Sequence, residues 1–266
     1  MLGFSFSAAC ALLSRVTYGG PLLLIALFLT IQLWRRKQFR PLIALLIPLA
    51  AGVAFHCLVS YARFGTFSGI RFDYYINPVH REVAHDYGMF NLRRFPYGLS
   101  DYFGVQFPAT QSQPPFLKAD RRFGNYFPSY SLPFSETYLP ITWASSWLVA
   151  GAILGIVCLF RKIDLFKRIV AGALVTQCLF ILCYYTLAQR YSAELYPFLI
   201  FCFAVLLSAG GILLVRARYA LIVLVLISAA INSLATDSWL ASDRNLPQET
   251  QHFWNALAGK SAPPIR

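Results

Sequence analysis

Long apolar runs, interrupted by short clusters of basic residues, constrain the fold of this chain more than any other feature. A helix needs about 20 predominantly apolar residues to cross a lipid bilayer. Several runs come close to that length: residues 41–61, 141–160, 169–187, 196–215 and 219–235. Apolar residues make up 58% of the chain and charged residues 13%, a balance typical of membrane proteins. We therefore predict an all-α fold, a polytopic bundle of transmembrane helices.

Two shorter apolar stretches precede these runs. Residues 2–13 and 21–34 are each short for a crossing, and the polar segment 14–20 separates them. Either the two stretches form a broken pair of helices, or each helix tilts and uses flanking residues to reach across the bilayer. With the longer runs they give five or six spans plus a partial N-terminal helix.

The basic clusters predict the orientation of these helices. Three short connections carry an excess of Lys and Arg over a single acid, Asp164; the basic residues are Arg35, Arg36, Lys37, Arg40, Arg161, Lys162, Lys167, Arg168, Arg216 and Arg218. Cytoplasmic connections of membrane proteins show this excess. Alternation from the cytoplasm then places residues 66–140, the turn 189–195 and the tail from Asp237 on the outer face.

Four regions follow from this orientation. They are N-terminal membrane helices (1–65), a long outer-face loop (66–140), C-terminal membrane helices (141–236) and an outer-face tail (237–266). The loop is rich in Phe and Tyr and nearly balanced in charge. We predict short interfacial helices at residues 78–87 and 91–104 of the loop, and an amphipathic helix at residues 247–258 of the tail.

The composition argues against two other classes of protein. The formal net charge is +12, but the basic residues lie mainly at the ends of apolar runs and in the tail. A nucleic-acid footprint requires a basic stripe, so we predict no nucleic-acid binding. The six cysteines lie inside apolar runs, and we predict no disulfide framework.

One segment of the loop carries metal-ligand residue types. His80, Glu82, His85 and Asp86 lie within seven positions. The two His residues are five positions apart, which separates them on a helix and matches no standard zinc pattern. We interpret the segment as the polar face of a helix and predict neither a metal site nor a cofactor.

Arginines in two short segments are candidate site residues. Arg15 lies in the polar segment 14–20, and an ionisable residue at membrane depth is a functional candidate, whereas at the surface it would be solvated or contact lipid phosphate. Arg190 and Glu194 are four positions apart in an outer turn. The Arg190 guanidinium has the planar shape that binds phosphate, or the two side chains form an interfacial pair that anchors a helix end.

Three segments resemble parts of bacterial GT-C-class membrane glycosyltransferases. They are Leu13-Ser14-Arg15-Val16-Thr17-Tyr18-Gly19, Ser60-Tyr61-Ala62-Arg63-Phe64-Gly65 (followed by Phe67, Gly69 and Phe72), and Gln189-Arg190-Tyr191-Ser192-Ala193-Glu194-Leu195-Tyr196-Pro197. These polytopic enzymes move a sugar from a polyprenyl-phosphate carrier to an acceptor on the outer face. The resemblance covers about residues 13–215. It implies a location in the bacterial inner membrane, with the long loop and the C-terminus in the periplasm.

The resemblance concerns the C-terminal half of that family. Its catalytic carboxylate lies in the first outer loop, ahead of the matching segments, whereas only thirteen residues precede Ser14 here. We therefore expect the N-terminal half to be missing, lost or separately encoded, and the isolated chain to be inactive, with catalytic residues unknown. Arg15, Arg63, Arg190 and Glu194 are expected to bind the lipid phosphate of a polyprenyl-phosphate sugar donor or to be structural. The loop 66–140 would be a lid or an acceptor-binding loop.

A non-catalytic membrane assembly partner or a transporter fragment is the alternative. A transporter places polar groups within its spans. The spans here contain few such groups beyond His56, Gln177 and Asn232, which argues against transport. The sequence leaves an assembly partner open, with membrane lipids as its surroundings.

Overall fold

The described part of the computed structural model is helical apart from turns and isolated bridges. It comprises residues 1–67, 78–105, 110, 112, 117, 139–161, 165–186, 189–209, 211–242, 253 and 256. The helices are α1 (Leu2–Ser14), α2 (Val16–Arg35), α3 (Phe39–Phe64), α4 (Pro78–Tyr87), α5 (Phe95–Tyr102), α6 (Ile141–Ala144), α7 (Ser146–Arg161), α8 (Leu165–Leu182), α9 (Gln189–Ser192), α10 (Tyr196–Ala209) and α11 (Ile212–Ser242). A 3-10 turn, Leu92–Arg94, precedes α5. The all-α prediction is confirmed for these residues.

Four helical segments in these residues are long and apolar enough to cross a membrane: Thr17–Arg35, Phe39–Phe64, Leu165–Leu182 and Ile212–Ser238. The shorter apolar helices are α1, α7 and α10. At about 1.5 Å per residue, these three helices extend only about 20–24 Å, which falls further short of the roughly 30 Å hydrocarbon core than the four segments above. The structure thus supports membrane insertion through four helices, and the count of five or six spans stays a prediction.

Of the two arrangements predicted for the N-terminal apolar stretches, the structure shows the broken pair of helices. Only Arg15 leaves the helical conformation, with φ −155° and ψ 118°. Residues 16–20, expected to be a polar interruption, belong to α2, and Pro21 lies inside that helix. Because α2 therefore begins at Val16, it gains the length needed for a crossing.

Two predicted runs have different bounds in the structure. The run 141–160 is broken at Ser145, whose φ of −145° and ψ of 49° end α6 before α7 begins. The run 196–215 ends at Ala209, and Gly211, with φ +46°, lies in the turn before α11. The placement of Arg216 and Arg218 in that turn was wrong. Both residues lie in α11, because Arg is a good helix former and needs no turn to reach water from a helix end.

The structure agrees in part with the short helices that were predicted for the loop. The predicted helix 78–87 coincides with α4. The predicted helix 91–104 is a 3-10 turn followed by α5, which ends at Tyr102. The tail helix predicted at residues 247–258 lies outside the described residues except for Phe253 and Ala256.

The chain divides into two compact units. The first unit contains Met1–Phe95 and Leu159–Tyr185, and the second contains Pro96–Cys158 and Thr186–Arg266. Each unit thus combines segments that are distant in sequence. The four predicted regions concern the side of the membrane, and they stay a prediction.

In the first unit, α1 packs against both α2 and α3. Ala8 of α1 packs with Ala26 of α2, while a methyl group at Gly19 would overlap Leu12, so α1 and α2 form an antiparallel hairpin around Arg15. The α1 and α3 helices run parallel, as two contacts show. The Ser5 hydroxyl donates to the Leu45 carbonyl, and a Cβ at Gly52 would lie 2.7 Å from the Ala9 Cβ.

Helix α8 lies antiparallel to α2 in the same unit. At one end, the rings of Phe28 and Phe166 have centroids 6.4 Å apart. At the other, a Cβ at Gly20 would be 3.2 Å from the Phe180 ring. The C-terminal end of α8 therefore lies beside the N-terminal end of α2, close to the break at Arg15.

In the second unit, α7 and α10 approach until their backbones touch. A methyl group at Gly155 would overlap the carbonyl of Cys202, and one at Gly151 would overlap the ring of Phe203. Trp147 meets Phe203 edge to face, with centroids 5.4 Å apart. Small residues permit this close approach of membrane helices, whose association depends on van der Waals packing.

Candidate functional site

Two of the four predicted site residues, Arg15 and Arg63, lie at the same end of the first unit. Arg15 follows the last residue of α1, and Arg63 lies in the last turn of α3. Because α1 and α3 are parallel, their C-terminal ends point the same way. We call this end, with Arg15, Arg63 and the C-terminus of α8, the arginine end of the first unit.

The sequence positions Arg15 between two helices. Its backbone N–H donates to the Ala11 carbonyl at the end of α1, and its own carbonyl accepts the Tyr18 N–H at 3.1 Å. Arg15 thus ends one helix and begins the next. Its side chain is half-buried at the N-terminus of the 20-residue helix α2. A helix N-terminus and a guanidinium both favour an anion, so their charges act in the same direction here.

Arg63 is exposed in the last turn of α3. Gly65 ends this helix with φ +67°, a left-handed conformation that glycine adopts without a steric penalty, and its N–H donates to the Tyr61 carbonyl at 2.8 Å. Beyond this cap, the Tyr61 and Phe67 rings stack with centroids 4.9 Å apart. An exposed cation and a stacked aromatic pair therefore both occur at the C-terminal end of α3.

The outer-loop segment around Phe90 is attached to the C-terminal end of α8. Phe90 and Tyr184 form an antiparallel bridge, and the Asn91 N–H donates to the Cys183 carbonyl at 2.9 Å. The Phe90 ring also packs on Phe180 and Tyr184, with centroids 5.5 and 5.4 Å away. These contacts place aromatic residues of the loop at the arginine end.

Arg94 fixes the backbone of this loop segment, and the sequence did not single it out. Its side chain is only 2% exposed, and Nη1 donates to the carbonyls of Gly88 and Met89 at 2.9 and 3.0 Å. Burial raises the pKa of the Cys183 thiol, and the Arg94 cation lowers that pKa by a smaller amount. Arg94 is thus built into the loop, and its guanidinium stabilises backbone rather than facing water. The sequence feature that could have indicated this turn is Asn91, a residue type that often caps helix N-termini; its side chain accepts the Arg93 N–H.

Arg190 and Glu194 belong to the second unit and differ in exposure. Arg190 is exposed, with its guanidinium 5.2 Å from the centroid of the Tyr191 ring. Glu194 is 2% exposed in the turn between α9 and α10. Helix α9 ends at Ser192, so no continuous helix brings the two side chains onto one face. A side chain buried to this extent is not accessible to a ligand from solvent, which favours a structural role for Glu194 over phosphate binding.

A set of polar contacts closes the break between α6 and α7 in the second unit. Asn232 Nδ2 donates to the Ala144 carbonyl at 2.7 Å, and the hydroxyls of Ser146 and Ser228 are 2.8 Å apart. The Ser145 hydroxyl lies 3.0 Å from that of Tyr196. Backbone groups freed at a helix break need such partners in a membrane. Asn232 was noted in the sequence, but its partner was not, because the break at Ser145 has no proline or glycine to mark it.

Glu82, His85 and Asp86 of α4 are exposed to solvent. His85 Nδ1 lies 3.1 Å from Asp86 Oδ1, and both side chains are largely exposed. The His80 side chain lies outside the described residues. Among the residues that are described, no group of three His, Cys, Asp or Glu side chains is arranged to hold a metal ion.

No protein-family model, no curated protein and no solved structure matches this chain.

Proposed function

We propose that this chain forms the carrier-binding part of a GT-C-type glycosyltransferase in the bacterial inner membrane, in which a polyprenyl-phosphate sugar is the donor. The observation that carries the proposal is the half-buried Arg15 at the break between two apolar helices. Such a break places a cation and a helix N-terminus at the membrane surface, where a lipid-linked phosphate would lie. The resemblance of three arginine-containing segments to this class of enzyme supports the same reading.

The proposed roles differ among the four residues. Arg15 binds the carrier phosphate, and the exposed Arg63 provides a second positive charge at the same end. The stacked Tyr61 and Phe67 offer a flat apolar surface for sugar or isoprenoid. Arg190 serves the substrate from the second unit, and Glu194 maintains the turn in which it is buried.

The proposal also includes the orientation and the chemistry. The arginine end and the loop 66–140 face the periplasm, and the loop acts as a lid or an acceptor-binding segment. The base that activates the acceptor is not assigned to a residue of this chain.

Binding of the carrier tests the proposal without requiring activity. Detergent-solubilised protein is titrated with undecaprenyl phosphate and with undecaprenol, and bound lipid is counted by native mass spectrometry. We expect a preference for the phosphate. Arg15→Gln should weaken that preference roughly tenfold or more, because a hydrogen bond to a charged group contributes about 1.5–3 kcal/mol. Arg93→Gln is the matched control, since Arg93 is an exposed cation of the neighbouring loop.

Two results would contradict the proposal. The wild-type protein could bind undecaprenol as tightly as its phosphate, in which case the headgroup is not recognised. Alternatively, Arg15→Gln and Arg93→Gln could weaken binding equally, in which case the effect is one of general surface charge.

The surroundings of the polar side chains in the spans argue against the transporter alternative. Asn232 donates to the carbonyls of Ala144 and Ser228, which makes it a packing residue. Gln177 is 1% exposed in α8, and its Nε2 has no hydrogen-bond partner among the described residues. One such amide does not make a polar pathway. A non-catalytic assembly partner remains the competing function, and the carrier titration separates it from the proposed one.

A further inference from the structure

The connection between α2 and α3 concentrates positive charge at the other end of the first unit. Four basic side chains lie within six positions, and all are exposed: Arg35, Arg36, Lys37 and Arg40. We call these four residues the basic turn. Helix α2 separates it from Arg15 by 20 residues, or about 30 Å.

The backbone of the basic turn is unusual at Lys37. Its φ is 54°, a left-handed conformation that glycine and asparagine adopt more readily than lysine. The Lys37 N–H donates to the Trp34 carbonyl and the Gln38 N–H to the Leu33 carbonyl, both at 2.9 Å. Lys37 thus occupies a position that glycine or asparagine would fill with less strain. Strain of this kind points to a function for the side chain.

The helices α1, α2 and α3 supply no counter-ion for these four cations. No Asp or Glu occurs before Asp73, so α1, α2 and α3 contain no carboxylate. Within the described residues, none of the four side chains forms a salt bridge. Four unpaired cations in a short turn attract an anion from outside the protein.

The position of the basic turn identifies the kind of anion. It joins two helices that are long and apolar enough to cross a membrane, so it lies where a bilayer meets water. Trp34 and Phe39 flank the turn edge to face, with centroids 6.0 Å apart, and both are more than half exposed. Exposed aromatic residues at the ends of membrane helices lie at the level of the lipid headgroups.

We infer that the basic turn binds the headgroups of anionic phospholipids in the adjacent leaflet. The phosphate of such a lipid supplies the missing counter-ion, and its acyl chains lie along the apolar faces of α2 and α3. Clusters of Lys and Arg next to a membrane helix bind acidic lipids in this way. An acidic protein segment would match the charge but would leave Trp34 and Phe39 without an apolar partner. This inference concerns the end of α2 opposite the proposed carrier site and is independent of it.

A lipid titration with a matched control tests the inference. The double variant Arg36→Gln/Lys37→Asn removes two cations and keeps a residue that tolerates the left-handed conformation. The control Arg216→Gln/Arg218→Gln removes two cations from α11 in the second unit. Each detergent-solubilised protein is titrated with phosphatidylglycerol and with phosphatidylcholine, and the bound lipids are counted by native mass spectrometry.

The wild-type protein and the control should prefer phosphatidylglycerol for the first lipid bound. The basic-turn variant should lose roughly tenfold or more of that preference, since each cation near an anionic surface contributes about a fivefold factor. A second variant, Arg35→Gln/Arg40→Gln, leaves the turn backbone intact and should show the same loss. The loss of undecaprenyl phosphate binding caused by Arg15→Gln should persist when that change is combined with either variant, which separates this site from the one around Arg15.

Two outcomes would overturn the inference. If the control loses as much preference as the basic-turn variants, any pair of basic residues suffices and the turn is not a site. If poly-glutamate binds the wild-type protein more tightly than phosphatidylglycerol does, the turn is a docking surface for an acidic protein.

Discussion

At the scale of single residues, burial separates arginines that the sequence presents alike. Arg63 and Arg190 are exposed, Arg15 is half-buried, and Arg94 is almost completely buried. Arg94 Nη1 donates to two carbonyls of its own loop, so its charge stabilises backbone. Position in the fold, and not residue type, therefore decides which arginine is available to a ligand.

Arg94→Met should loosen the loop between residues 88 and 94. The variant keeps most of the aliphatic volume but removes the bonds to the Gly88 and Met89 carbonyls, and hydrogen bonds to a charged group contribute about 1.5–3 kcal/mol each. We expect a lower apparent melting temperature in detergent and faster proteolysis between residues 88 and 94. Arg93→Met, at the exposed neighbour, should change neither quantity by much. Equal proteolysis of the two variants would show that Arg94 does not hold the loop.

At the scale of helices, close approach depends on glycines whose surroundings differ. Gly155 of α7 faces the Cys202 carbonyl of α10, where a methyl group has no room. Gly172 of α8 has no atom within 4 Å of its missing Cβ. The two glycines look alike in the sequence, since each lies within an apolar helix.

Gly155→Ala should destabilise the protein, whereas Gly172→Ala should not. In α7 the added methyl group forces the helices apart, and overpacking costs roughly 1–3 kcal/mol. In α8 the same change adds helix propensity and is expected to be neutral or slightly stabilising. Thermal unfolding of both variants in detergent measures the difference. A similar loss of stability in both would mean that the α7–α10 contact is not tight.

At the scale of the whole molecule, the orientation in the membrane links the sites. Two of the helices that are long enough to cross, α2 and α3, are joined by the basic turn, and the positive-inside rule predicts that this turn faces the cytoplasm. Within the first unit, the basic turn and the arginine end lie at opposite ends of α2. The orientation of α2 in the membrane therefore decides on which side of the membrane each of the two sites lies.

Single cysteines test that orientation. In a background in which the six native cysteines are replaced by alanine, Ser112→Cys and Arg161→Cys each introduce one exposed thiol. A membrane-impermeant maleimide should label the first from the periplasmic side and the second only after the membrane is opened. Labelling of both positions from the same side of the membrane would contradict the orientation predicted for the outer loop and the arginine end.

The sequence alone determined the helical class, the approximate positions of the long apolar helices and the basic turn between α2 and α3. These features depend on composition and on runs along the chain, so they need no knowledge of neighbours. It also located α4 and the break around Arg15, where polar residues interrupt apolar ones.

Tertiary structure decided what the sequence could not express. The helix break at Ser145, the burial of Arg94 and Glu194, and the pairing of α1 with α3 arise from contacts between residues distant in the chain. The sequence does not show whether the partner of a polar residue is water, a carbonyl or a ligand. Only the packing of the helices assigns that partner, because burial removes water and leaves each polar group to the atoms beside it.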